Sequence, residues 1–258
     1  MKKLSREKRG DVGKYVWAIY QLMAYPFVDS EVSPSNVTRL MFLSTFTNYF
    51  GELVFDNGRP IKREHLPGVL NISASASDTF FREVVRAGYI SDGGDGILMI
   101  NQEVFKKGAI NSKKVATMAG DGQFLTRVYI DGVRSLYAKV STPRQHKTLS
   151  YIFQILPFVN REHNIVCFNP LETEIESIQR MTLGDFCDII GQDRSHADRV
   201  AKTLFQTKFQ VGDKEQYAIR YVIDSTFKKA GYSIFINPNV YYAGSRWSSV
   251  EILKAFTG

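Results

Sequence analysis

Residues 191–208, GQDRSHADRVAKTLFQTK, set Arg194, Arg199, Lys202 and Lys208 among Ser195, His196, Thr203 and Gln206. Ala197, Val200, Ala201 and Leu204 recur at helical spacing, which predicts that they turn inward. That leaves His196, Arg199, Thr203 and Gln206 outward, with Lys202 at the flank. An outward Arg can give paired donors to guanine, and a Gln can pair with adenine, so the pattern suits major-groove reading. Arg194, Lys202 and Lys208 suit phosphate oxygens, which position a helix without reading sequence. The backbone amides at the helix start, beside Ser195, add a further phosphate site.

Covalent chemistry finds little support. His65, His146, His163 and His196 stand far apart, with no H-x-H, H-E-x-x-H or C-x-x-C spacing for a metal. There is no G-x-x-x-x-G-K-[ST] loop for nucleotide phosphates, and no histidine cluster for a nicking tyrosine. Glu172, Glu174 and Glu176 share an acidic stretch that reads as solvated surface, with a protein contact as its other use. The expectation is a non-enzyme with no cofactor and no metal.

The elements that hold the basic residues come next. Residues 182–208 read as a short apolar helix, a turn at Gly191–Asp193 and a second helix, a helix-turn-helix pattern. A looser copy lies at 62–88. A shift of 120 superposes Leu66 on Phe186, Val69 on Ile189, Leu70 on Ile190, Ser75 on Ser195, Asp78 on Asp198 and Val84 on Leu204. Ser75 and Asp78 also have capping-box spacing, which predicts a helix start there. The first copy exposes Ala76, Thr79, Glu83 and Arg86 by the same construction, with Ser75, Ser77 and Arg82 as further candidate contacts. Glu83 would repel phosphate unless it accepts from a cytosine amino group.

Two more alignments extend the repeat. A shift of 109 pairs Tyr15 with Phe124, Ile19 with Val128, Tyr20 with Tyr129 and Leu40 with Leu149. A third matches Ile100, Asn101, Val104, Phe105 and Gly108 to Ile236, Asn237, Val240, Tyr241 and Gly244. Residues 89–105 predict two strands around a glycine-rich tip, the hairpin that turns a helix-turn-helix into a winged helix. Residues 209–229 predict an enlarged hairpin, with Lys214 and Arg220 as wing contacts. Residues 14–28 fit either a buried helix or a strand. Residues 36–50 predict a helix with Leu40, Leu43, Phe46 and Phe50 on one face, 124–140 an amphipathic helix, and 246–256 a closing helix.

The expected fold is therefore mainly α with small β-hairpin wings (α+β), in tandem winged helix-turn-helix domains. A basic arm spans 1–10, the first domain 11–110, a connector with an amphipathic helix 111–143, and the second domain 144–258 with its C-terminal helix.

The net charge of +7 permits a polyanionic partner. It is concentrated in the first ten residues and in 111–147, where seven Lys or Arg face only Asp121 and Asp131. The arm reads as a loose terminus or as a phosphate or minor-groove contact. Two cysteines and the lack of a long apolar run predict a reduced, cytoplasmic protein without a membrane span.

Three segments, HKTLSYIFQILPFVN (146–160), MTLGDFCDIIG (181–191) and SIFINPNVYYAG (233–244), resemble the RepL-type winged-helix initiators and regulators of Gram-positive plasmids and phages. The likeness covers roughly 110–250. It implies binding to double-stranded DNA at an origin or operator without nucleotide hydrolysis. A homodimer and host replication or transcription proteins stay open as further partners. The rival expectation is an adaptor that holds a replication or partition protein.

Overall fold

The computed structural model describes residues 13–21, 32–224, 231–244 and 256. The basic arm, residues 225–230 and nearly all of the expected closing helix lie outside the described residues. The architecture is α+β, with helices around small antiparallel sheets.

The chain begins with β1 (Tyr15–Gln21) and α1 (Pro34–Ser44). A 3-10 turn at Arg63–His65 runs into α2 (Leu66–Leu70), followed by α3 (Ala74–Arg86), β2 (Ile90–Asp92), β3 (Leu98–Ile100) and β4 (Phe105–Lys106). Next come α4 (Ser112–Gly120), β5 (Gln123–Tyr129), α5 (Ile130–Ala138) and α6 (Pro143–Gln154). After α7 (Leu183–Ile189) a 3-10 turn at Arg194–His196 enters α8 (Ala197–Leu204). The last strands are β6 (Lys208–Val211), β7 (Lys214–Tyr217), β8 (Ile219–Asp224), β9 (Gly231–Ile236) and β10 (Tyr241–Tyr242).

Of residues 14–28, open between a helix and a strand, Tyr15–Gln21 form a strand, and 22–28 lie outside the described residues. Val16, Ala18 and Tyr20 are buried while Tyr15, Trp17 and Ile19 are half-exposed, the period-two alternation of a sheet. The amphipathic helix expected over 124–140 is corrected. Its first part is β5, paired antiparallel with β1 along seven residues from Tyr15↔Tyr129 to Gln21↔Gln123. Only 130–138 is helical. The aromatic and β-branched residues of QFLTRVY suit a pleated, half-buried surface, and the partner strand decides the outcome.

The four-stranded sheet runs β10-β5-β1-β4. Its two edges attach alike: Ile19 N donates to Val104 O at 2.8 Å, and Tyr129 N to Val240 O at 3.0 Å. The likeness continues inward. Leu53 N donates to Leu98 O and Val166 N to Ile234 O; Ile61 N donates to Leu53 O and Met181 N to Val166 O. Asn101 N donates to Tyr89 O and Asn237 N to Ala218 O, both at 2.9 Å. A left-handed residue closes each short helix, Asn71 (φ 49) after α2 and Gly191 (φ 64) after the α7 segment.

α1 and α6 both begin on proline and pack against each other. Leu40, Leu43, Leu149, Ile152 and Phe153 are buried there, and one apolar core spans both halves. The segment expected as a connector belongs to it, since Val133, Leu136 and Tyr137 of α5 are buried in that core.

Three local expectations shift. α1 ends at Ser44, so Phe50 is 74% exposed rather than on an inner face. Ser73, not Ser75, caps α3: its Oγ accepts from Ala76 N at 3.2 Å. The single enlarged hairpin expected at 209–229 is two hairpins, β6–β7 and β8–β9.

Candidate nucleic-acid interface

The α7–α8 turn is built by short polar residues. Thr182 accepts from Asp185 N at 3.2 Å, and the Asp185 carboxylate accepts from Thr182 N at 2.9 Å, a reciprocal cap. Hydrogen bonding to Thr182, reinforced by Arg194, holds the Asp185 carboxyl below its ordinary range. Gly191 takes the left-handed conformation that ends the segment, and Asp193 accepts from Ser195 N at 2.8 Å.

On α8 the division into faces follows the helical period. Val200 and Leu204 are buried, Ala197 and Ala201 half-buried. Ser195, His196, Arg199, Lys202, Thr203 and Gln206 are exposed, and Lys208 is half-buried. Thr203 Oγ1 donates to Arg199 O at 2.9 Å, so its proton is held within the helix. Arg194 is braced locally: its guanidinium bonds Asp188 at 3.0 Å and Asp185 at 3.1 Å. Lys208 Nζ lies 3.2 Å from Glu215 and 4.8 Å from the Tyr217 ring centre. These two cations are largely answered by neighbouring carboxylates, so they brace the turn and the strand as well as charging the face.

Two cations missing from the expected set stand beside α8. Arg144 and Lys147 of α6 line a cleft of about 310 Å3 with Thr148, Tyr151, Arg199 and Thr203. A neighbouring cleft of about 460 Å3 adds Lys139, Gln206 and Lys208, with Glu215 on its wall. Arg144 and Lys147 stand three apart on a helix, which puts both on one face. The signal was in the sequence as the basic run 111–147, which ends on them. Only the packing of α6 against α8 joins that run to Arg199.

The first half is arranged differently. Ser75, Thr79, Arg82 and Arg86 of α3 are exposed. Ser77 is 3% exposed and faces the core, so its proposed contact with DNA is corrected. Glu83 is tethered to the start of α1, accepting from Ser33 N at 2.9 Å and Asn36 Nδ2 at 2.6 Å. It is therefore a brace between helices and not a reader of cytosine. Arg63 pairs with Asp78 at 2.9 Å. The β2–β3 tip carries Asp92 and Asp95 among glycines, an acidic rather than a basic wing.

Lys214 and Arg220, expected together on one wing, are on separate hairpins. Lys214 is exposed on β7, whose partner β6 is fastened to α5 by Gln210 N donating to Ser135 Oγ at 2.7 Å. It lines a cleft of about 550 Å3 that also holds Asp131 and Asp213. Arg220, on β8, lies 4.1 Å from the Tyr217 ring centre.

Among the described residues, no group of three or more His, Cys, Asp or Glu is placed to hold a metal ion. No helix there is long and apolar enough to cross a membrane. Both cysteines are buried and free, and burial pushes the Cys167 thiol up to about 12, away from thiolate chemistry.

Scans against protein-family models, curated proteins and solved structures each gave no match.

Proposed function

We propose that this chain binds a specific site on double-stranded DNA through two winged helix-turn-helix units, and that it serves a plasmid or phage as replication initiator or transcriptional regulator. One observation carries the DNA reading: the exposed face of α8 is continuous with Arg144 and Lys147 of α6 across clefts that Arg199 and Thr203 help to line. Phosphates on one side of a groove would meet Arg144, Lys147 and Lys202, while Arg199 and Gln206 reach base edges. The second half dominates affinity, because the first half offers Arg82 and Arg86 beside an acidic wing. The recurring hydrogen bonds of the two halves favour an internal duplication as the origin of this plan. The replication or regulatory role rests on the RepL-type resemblance.

Fluorescence anisotropy with a duplex taken from beside the protein's own coding region tests the reading. Sequence-selective binding that falls steeply between low and moderate salt is expected. Absent or salt-insensitive binding would reject it.

The adaptor reading has its own observation. Phe168 (44% exposed), Leu171 (54%) and Ile175 (38%) stand in the open around Glu172, Glu174 and Glu176, a pattern suited to a basic, apolar protein surface.

A further inference from the structure

Phe205, Tyr221 and Tyr232 form a ladder of near-parallel rings on the second half. The first two centroids are 5.6 Å apart with planes 16° from parallel, and the last two 4.5 Å apart at 14°. Phe205 caps the end of α8, Tyr221 lies on β8 and Tyr232 on β9. Exposure rises along the series: Phe205 is half-buried, Tyr221 36% exposed and Tyr232 52%.

The β8–β9 register accounts for this. Tyr221 is opposite Ile234 and Tyr232 opposite Ile223, so both tyrosines share a face with Ile219, Ile234 and Ile236. Those three isoleucines are fully buried. The hairpin thus carries its apolar face beyond the core, and finishes it with aromatic rings. Aliphatic residues would serve packing alone. Parallel rings with an open terminal member have the geometry that accepts another flat ring.

We propose that this ladder is a stacking platform for an unpaired nucleobase, so that the chain holds single-stranded DNA beside the duplex engaged by α8. The proposal rests on the DNA-binding reading above. Charge argues for nucleic acid over an apolar peptide. The ladder starts at Phe205, and the exposed Lys202 stands three residues before it, on the same side of the helix. Rings for bases and cations for phosphates are the pairing that single strands require.

The test is fluorescence anisotropy of the full chain with a labelled 20-nucleotide mixed-sequence single strand and with the corresponding duplex. Tyr232→Leu should weaken single-strand binding about tenfold and leave duplex binding unchanged, because stacking on one ring is lost. Tyr232→Phe should bind as the parent does. Photocrosslinking the unaltered chain to a strand carrying 5-iodouracil should label Tyr232 or Tyr221, a readout that does not depend on any variant folding. Unchanged single-strand binding by Tyr232→Leu, or crosslinks confined elsewhere, overturns the proposal. Duplex binding without single-strand binding also overturns it, and leaves the ladder to a protein partner. Binding to neither form of DNA removes the underlying DNA reading and this inference with it.

Discussion

Trp17 and Arg127 are opposite one another in the β1–β5 register, and each donates from its side chain to a glycine carbonyl. Trp17 Nε1 donates to Gly108 O at 2.9 Å, and the Arg127 guanidinium to Gly244 O. Arg127 also lies 5.8 Å from the Trp17 ring centre and 5.5 Å from that of Tyr242. Gly108 follows edge strand β4 and Gly244 follows edge strand β10, so the central pair anchors both borders of the sheet. The seam between the halves is held at this point.

Arg127→Met should therefore lose the charge-assisted hydrogen bonds to Tyr242 O and Gly244 O and the contacts with both rings while keeping much of the stem. A loss of about 1–3 kcal/mol is expected, read as a lower urea midpoint at constant slope. Trp17→Phe keeps the ring, gives up the donor and should cost about 1 kcal/mol. Both variants melting as the parent does would show that the pair carries no stability.

On the proposed DNA-binding face, Arg199→Ala should relax base preference with a loss of about 1–3 kcal/mol. Lys202→Ala, Arg144→Ala and Lys147→Ala should instead weaken all sequences alike and shallow the salt slope by about one each. Competition titrations against a scrambled duplex separate the two patterns. Equal behaviour of all four variants would refute the division into readers and phosphate contacts.

Acid should destabilise the seam through His146. This residue is 1% exposed, sits edge-on to Tyr137 at 4.9 Å, and is pushed down to about 4 by burial, with Arg39 adding to the effect. The unfolded chain takes up a proton near pH 6.5, whereas the folded chain resists until about pH 4. Stability from keeping this ring neutral is whole above pH 6.5, drains away between 6.5 and 4, and falls no further below that. The loss is on the order of 3 kcal/mol. His146→Gln should flatten that part of a stability–pH profile, and an undiminished slope in the variant would assign the effect to other groups.

Gly132 lies where α5 passes under the chain at Asn239. A Cβ there would come within 2.1 Å of Asn239 O, a contact with backbone that no rotamer relieves. Gly132→Ala should cost about 1–3 kcal/mol in a thermal or urea melt. A neutral outcome would mean that this crossing is looser than the packing implies.

Local pattern was sufficient for several parts of this protein. The spacing of Val200 and Leu204 correctly separated buried from exposed positions on α8, and Gly191–Asp193 marked its turn. The match of Asn101 with Asn237 falls on a bend that occurs twice: in each, Oδ1 accepts from the amide two residues on, Glu103 N and Asn239 N, at 2.9 Å. Such features are encoded by neighbours a few residues apart, where helical period, caps and glycine conformation act.

Contacts between distant segments followed another logic. Residues 123–129 carry apolar side chains that either a helix or a strand could bury, and pairing with β1 selected the strand. Ser77 and Glu83 have the composition of a DNA-facing helix, yet the core took one and the start of α1 the other. Arg144 and Lys147 joined Arg199, and Phe205 joined Tyr221 and Tyr232, only when α6, α8 and the β8–β9 hairpin met. Periodicity records whether a side chain faces in or out; which partner it finds there is settled by packing across the chain.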